Sequence, residues 1–210
     1  MKPPRIFVCG DIHGCYDELM AGLDRVSFSP DCDHLIALGD LVDRGPKNEQ
    51  VLALLDEPWF SSIMGNHEVL MLQAEVGNSE MHIINGGGWF ATLTPERREE
   101  LAKKVQSLPY AIEIITPTGR KVGMVHADMP GADWGEFMAC LGTPQVQDYA
   151  VWSRERVGVA KSGGVLQPIT GIDHVYFGHT PLREPLRCAN MSWIDTGCFA
   201  TGRITIEELW

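Results

Sequence analysis

Apolar runs of three or four residues recur through the first third of the chain, and each ends at a glycine. Ile6 to Cys9 runs into Gly10, Leu35 to Leu38 into Gly39, and Ser62 to Met64 into Gly65. Continuous runs this short predict buried strands rather than helices. Helical stretches lie between and after them: Asp17 to Val26 with leucines at 19 and 23, Lys47 to Leu55 opened by Pro46, and Val69 to Ala74. Three strand–glycine–helix units in succession predict right-handed crossovers and a largely parallel sheet.

The second half has another rhythm. Pro95 to Ser107 predicts a helix whose charge run is a solvated face. Ala111 to Ile115 and Lys121 to Val125 flank Thr116-Pro117-Thr118-Gly119, a hairpin signal. Val175 to Phe177, Met191 to Asp195 and Arg203 to Glu207 predict three more strands. The expected architecture is a two-sheet α/β sandwich with helices outside. The glycine-rich stretches Asn78 to Trp89 and Ala160 to Ile172 read as loops of the kind that line a cleft, or as exposed linkers.

Composition sets limits on this picture. With 210 residues, the chain suits one domain over residues 1–210. Net charge is −11, which disfavours non-specific binding to nucleic acid or an anionic membrane. No apolar stretch approaches the roughly 20 residues that span a bilayer. The first apolar run is shorter than the about 7–15 residues of a signal-peptide core. Six cysteines without a CxxC pair then read as reduced thiols in the cytoplasm. Cys9 and Cys15 flank the first glycine motif; they read as small buried hydrophobes, with a redox role as the alternative.

The segments just past the strands carry the chemistry. Asp11 and His13 lie in Gly10–Gly14, Asp40 in Gly39–Gly45, and Asn66 in Gly65–Glu68. His126 and His179 come after the later strands. In open α/β folds, loops at the carboxyl ends of strands converge on one point, and the glycines let backbone come close to an ion. A central carboxylate in such a set can bridge two divalent cations roughly 4 Å apart, which clamp a phosphoryl displacement. Asp11 and His13, one residue apart, would share a side of an extended segment. Mixed oxygen and nitrogen donors suit Mn²⁺, Fe or Zn²⁺ more than Ca²⁺.

Arg44, four residues from Asp40, can reach a phosphate bound there through its planar fork. Arg154 has the same capability, with a surface ion pair as its bland reading; Arg156 and Arg183 keep only that reading. His67, next to Asn66, can face substrate while Asn66 ligates. Paired with Asp43, it would be the general acid, with metal-activated water as nucleophile.

These blocks, GDxHG, GDxxDRG and GNHE with two later histidines, resemble the calcineurin-like metallophosphoesterases. Within that superfamily they resemble the PPP-type protein Ser/Thr phosphatases. Asn85-Gly86-Gly87-x-Trp89, Val151-Trp152-Ser153-Arg154 and Gly178-His179-Thr180-Pro181-Leu182 are similar to their small bacterial and phage branch. The similarity runs from about Ile6 to the C-terminus. It implies Asp11, His13 and Asp40 at one metal, and Asp40, Asn66, His126 and His179 at the other. It also implies Arg44 and Arg154 on phosphate, with His67 and Asp43 in the acid role. Two divalent ions are expected, Mn²⁺ first, then Fe, Zn or Ni. Phosphoproteins are the expected substrates, cleaved by direct attack of a metal-bound hydroxide. No obligate regulatory subunit is expected, since the long C-terminal extension of eukaryotic members is not seen.

Two rivals remain. Symmetrical dinucleoside-tetraphosphate hydrolases share the fold, but typically carry Gln where this chain has His13, and they are longer. A catalytically inactive phosphopeptide-binding or scaffold module would usually have lost a ligand or the acid, and none is lost here.

Overall fold

Two sheets lie face to face, and alternate residues of most strands divide between their two sides. The computed structural model describes residues 4–209. The first sheet has the order β3-β2-β1-β9, built from β1 (Ile6–Cys9), β2 (His34–Ala37), β3 (Phe60–Ser62) and β9 (Ile206–Glu208). The β1–β2 and β2–β3 pairs are parallel, whereas β9 runs antiparallel to β1. The second sheet has the order β4-β5-β6-β8-β7, from β4 (Ala111–Ile115), β5 (Lys121–Val125), β6 (His174–Phe177), β7 (Leu186–Cys188) and β8 (Met191–Trp193).

Strand periodicity explains why apolar runs, not alternating ones, were needed. In β1, Phe7 and Cys9 point to the helical layer while Val8 points to the facing sheet. Leu35 and Ala37 pair off against Ile36 in the same way. The opposite sheet contributes Val122 and Met124 to the inter-sheet core. Phe177 and Trp193, stacked with ring centroids 5.2 Å apart, face the outer helices. Side chains alternate across a strand, so both faces of each sheet must be apolar when both are covered.

The covering helices are α1 (Tyr16–Arg25), α2 (Asn48–Ala53), α3 (Asn66–Glu75), α4 (Glu80–Ile84) and α5 (Pro95–Gln106) in the first half. The second half adds α6 (Trp134–Cys140), α7 (Pro144–Trp152), α8 (Glu155–Lys161) and α9 (Cys198–Thr201). Both stretches read as loops are partly helical. Residues 78–89 hold α4 and the start of a 3₁₀ turn, Gly87–Thr92, while α8 reaches Lys161. The third strand lies two residues earlier than the apolar run suggested, because Leu35 and Ala37 pair with Phe60 and Ser62. None of the described helices is long and apolar enough to cross a membrane.

Candidate active site

The carboxyl ends of β1, β2, β5 and β6 deliver Asp11, Asp40, His126 and His179 to one place. The first two loops are zipped together there: the His13 and Gly14 amides donate to the Asp40 and Leu41 carbonyls, each at 2.8 Å. Gly65 sits so close that a Cβ on it would lie 2.3 Å from Asp40 Oδ1, so only glycine lets α3 start beside that carboxylate. The His67 amide at the start of α3 donates to Asp40 Oδ1 at 3.0 Å.

Asp40 faces two groups of donors with its two oxygens. Oδ1 lies 3.4 Å from His126 Nε2, which is also 3.1 Å from Asn66 Oδ1 and 3.2 Å from His179 Nδ1. Oδ2 lies 3.6 Å from His13 Nε2 and 3.9 Å from His67 Nε2. Asp11 Oδ2 stands 3.9 Å from His13 Nε2. Ligand atoms of His13, Asp40 and His67 all fall within 4.8 Å of one another, and so do those of Asp40, His126 and His179. His67 thus lies in a donor cluster by distance, alongside the residues named for metal from the sequence.

The donor set suits divalent cations. His13 Nδ1–H donates to the Val42 carbonyl at 2.8 Å, and His126 Nδ1–H to the Leu38 carbonyl at 2.6 Å, leaving each Nε2 lone pair directed inward. Burial drives His13 down to about 4 and also lowers His126 and His179, so all three imidazoles are neutral, as ligation requires. Asp11, Asp40 and Asp195 are buried together, and among the described residues none pairs with Lys or Arg. Burial raises Asp11 well above the carboxylate range, with the Asp195 and Asp40 charges adding to it. Asp40 shifts the other way: its burial is outweighed by attraction to the histidines around it, and of these His67 is the one shifted toward its charged form.

Asp11 and His13 do not share a side by strand alternation. His13 has φ 47°, and a left-handed turn brings the two together. Among the described residues, five of the seven non-glycine residues with positive φ are His13, Asp40, Asp43, Arg44 and His179. Backbone strain is therefore concentrated at this site, where surrounding contacts must hold it.

Arg44 is exposed; its guanidinium donates to His13 Nε2 at 2.9 Å and lies 3.0 Å from His67 Nε2. Its guanidinium also stacks over Phe199, 4.5 Å from the ring centroid. Arg154 is exposed and makes no ion pair among the described residues; it lines a groove of about 380 Å³ with Val157, Lys161 and Thr180. Arg156, by contrast, grips buried Asp128 and the Met129 and Gly131 carbonyls, which ties down the chain beyond His126. Asp43 Oδ2 accepts His67 Nδ1–H at 2.7 Å, and both residues are fully buried. Desolvation lowers the His67 pKa, but Asp40 and the Asp43 hydrogen bond overcome it and the net shift is upward.

Sequence reasoning missed three participants. Glu68 accepts the Asp40, Leu41 and Gly65 amides at 2.8, 2.8 and 2.9 Å. Asp195 comes after β8 and precedes Gly197, repeating the strand–aspartate–glycine pattern of the first motifs, which was a usable signal. His82 reaches Asp43 from 39 positions away, which no local pattern announces.

A metallophosphoesterase centre is what this fold and donor set define, and comparison with known proteins agrees. Residues 4–183 match the model of the calcineurin-like phosphoesterase family, and the chain belongs to that family. It is 39% identical over 208 residues to serine/threonine-protein phosphatase 1 of Salmonella typhimurium, covering 97% of this chain and 91% of the relative. Similarity to a symmetrical bis(5'-nucleosyl)-tetraphosphatase of Nitrosococcus oceani is 30%, over 72% of this chain and 62% of that protein. A cold-active protein-tyrosine phosphatase of a Shewanella species has the same fold, with TM-score 0.63 and 15% identity over all of this chain and 78% of the other. Members of the family use a dinuclear metal site, and the two donor clusters at Asp40 are candidate ligand groups for one.

Proposed function

We propose that this protein hydrolyses phosphoserine and phosphothreonine monoesters in proteins. The observation that carries this reading is the placement of the Asp43–His67 pair and Arg44 beside the two donor clusters that meet at Asp40. Asp11, His13 and Asp40 would hold one divalent ion, and Asp40, Asn66, His126 and His179 the other. Mn²⁺ fits this mixed donor set. When bound, the ions polarise the phosphoryl group and supply a water nucleophile at neutral pH.

The side chains do the rest. Arg44 and Arg154 present planar forks to the phosphoryl oxygens, and both are exposed enough to turn toward them. His67 gives its Nε2 proton to the departing serine or threonine oxygen. Asp43 holds the opposite ring nitrogen and so sets the tautomer. Nothing in this scheme calls for a phosphorylated side chain. The cytoplasm suits the free thiols, phosphoproteins are the partners, and no regulatory subunit, membrane or nucleic acid enters the scheme.

The test is phosphate release by Mn²⁺-loaded protein from phosphoserine, phosphothreonine, phosphotyrosine and phosphohistidine peptides and from diadenosine tetraphosphate. Higher kcat/KM on the phosphoserine and phosphothreonine peptides than on the dinucleotide supports the reading. The two remaining peptides mark how far substrate range extends. Turnover of the dinucleotide alone would make the protein a tetraphosphatase. No turnover and no metal uptake would make it a binding module.

A further inference from the structure

The Asn85-Gly86-Gly87-x-Trp89 motif has no part in the chemistry above, and neither has His82. Two of these side chains converge on a single atom. Asp43 Oδ1 accepts His82 Nε2–H at 3.0 Å and Trp89 Nε1–H at 2.8 Å, while Oδ2 accepts His67 Nδ1–H at 2.7 Å. The indole nitrogen can only donate, so the direction of that bond is fixed. Asp43 and His82 are 0% and 1% exposed, so no bulk water stands ready to replace either donor.

We infer that His82 and Trp89 are positioning residues for the general acid, acting through Asp43. The inference rests on the role proposed for His67. An aspartate carboxylate turns easily about its last torsion, which has broad wells. One hydrogen bond from His67 to Oδ2 leaves the carboxylate plane free to rock. Two donors on Oδ1, arriving from separate turns of the chain, fix that plane. Oδ2 then offers His67 one acceptor in one direction. The Asp43 backbone is held as well: its φ is 73°, and its amide donates to Asn48 Oδ1 at 2.7 Å.

The segment that carries the two donors is built for this approach. A Cβ on Gly87 would lie 2.1 Å from the His82 ring, so the 3₁₀ turn can close over that ring only with glycine there. Phe90 packs edge-on to both His82 and Trp89, at centroid distances of 5.7 and 5.6 Å, and is itself part of the helical-layer core. The two donors are thus anchored to the core and aimed at one oxygen.

The experiment compares Trp89→Phe, His82→Leu and His82→Gln with wild type, and runs His67→Asn alongside. The readouts are kcat and KM on a phosphoserine peptide and on p-nitrophenyl phosphate, with metal content and Tm for each variant. Trp89→Phe removes the N–H together with the five-membered ring that carries it while keeping an aromatic ring beside Phe90, and His82→Gln restores a donor near Nε2. Peptide kcat should fall on the order of 10-fold in Trp89→Phe and His82→Leu, the scale seen for outer-sphere partners. KM and p-nitrophenyl phosphate turnover should stay near wild type, because that leaving group needs little protonation. His82→Gln should recover most of the loss, with two ions still bound. If His82→Leu fails to fold, Trp89→Phe carries the test. Equal losses on both substrates, or no loss on the peptide, beside a leaving-group-selective His67→Asn would overturn this inference alone. An unselective His67→Asn would overturn the acid role and this inference with it.

Discussion

Glu68 holds Asp40 by its backbone, not by its side chain. One Glu68 carboxylate oxygen accepts the Asp40 amide and the other accepts the Leu41 amide, both at 2.8 Å. The Asp40 side chain takes no bond from Glu68, so its two oxygens face the two donor clusters, with only the His67 amide on Oδ1, at a residue whose φ is 49°. A third amide, from Gly65, completes the set, so one buried carboxylate ties the β2 loop to the start of α3.

Removing that carboxylate should therefore loosen the metal site as well as the fold. Glu68→Ala strands three buried amides, each costing about 1–3 kcal/mol if left without a partner, reduced by whatever water enters. Urea melts should show a loss of at least roughly 2 kcal/mol, and elemental analysis should show weaker loading of both ions. A variant with lowered stability but two tightly held ions would mean that Asp40 does not depend on Glu68 for its orientation.

The two-cluster arrangement predicts unequal effects within the ligand set. Asp40→Asn should weaken both ions, because its oxygens face both clusters. His13→Ala should weaken mainly the one on the Oδ2 side. Isothermal titration with Mn²⁺ would report the two sites separately. One tightly bound ion at full activity in the wild-type protein would contradict a dinuclear mechanism.

Much of this was legible in the sequence, for reasons that particular residues make plain. The strand at Ile6–Cys9 and the hairpin at Ala111–Val125 stand out because a short apolar run and a Gly-containing turn are local signals. Ser62–Met64 misled because Ile63 and Met64 are just as buried as strand residues. Their amides bond to Ala37 and Pro109 beyond the end of β3. Sequence patterning predicts none of the helices between Trp134 and Lys161; they are seven to nine residues long, too short for a helical period to repeat clearly. The candidate ligands could be picked out from the sequence because each motif that holds them is short. The Trp89–Asp43 bond spans 46 positions, and only the folded chain brings its ends together.

The arginine prediction turns on geometry rather than charge. Arg44, beside His13 and His67, and Arg154, in the groove with Thr180, are exposed and carry no ion pair among the described residues, so neither holds the fold together through one. Each change to Ala should lower kcat/KM by about 10²–10³-fold, the scale for losing one preorganised donor to developing charge. Urea midpoints should barely move. Lys should rescue only partly, because it lacks the planar fork. Wild-type kcat/KM in Arg154→Ala would remove that residue from the site.

Away from the site, Asp33 predicts a pH-dependent stability. Its carboxylate takes two Arg5 side-chain hydrogen bonds and the Ser29 amide, joining the segments that lead into β1 and β2. The Arg5 side chain is the main cause that holds Asp33 down to about 2. A depressed carboxylate stabilises the fold above its unfolded pKa of about 4, and that contribution is lost as pH falls through the folded value. Asp33→Asn should cost on the order of 1 kcal/mol at pH 7, a figure reduced because Arg5 is near solvent. The gap from wild type should narrow by about half by pH 3, as the unfolded carboxylate takes up its proton. A gap that is the same at pH 7 and pH 3 would mean that packing, not the ion pair, is its source.

His67 gives the sharpest separation of roles. An alkoxide leaving from phosphoserine must be protonated as it departs, whereas a nitrophenolate is stable as an anion near neutral pH. His67→Asn should therefore reduce turnover of a phosphoserine peptide by about 10²–10⁴-fold, the range for general acid catalysis, and turnover of p-nitrophenyl phosphate far less. Asp43→Asn should show a milder form of the same selectivity. It keeps the imidazole but replaces the acceptor at 2.7 Å from Nδ1, and with it the partner of His82 and Trp89. Metal analysis must accompany both variants, because His67 Nε2 lies within reach of the Oδ2-side cluster. Retained ions with selective loss assign His67 to proton delivery. Loss of one ion, with equal damage to both substrates, would instead make His67 a ligand.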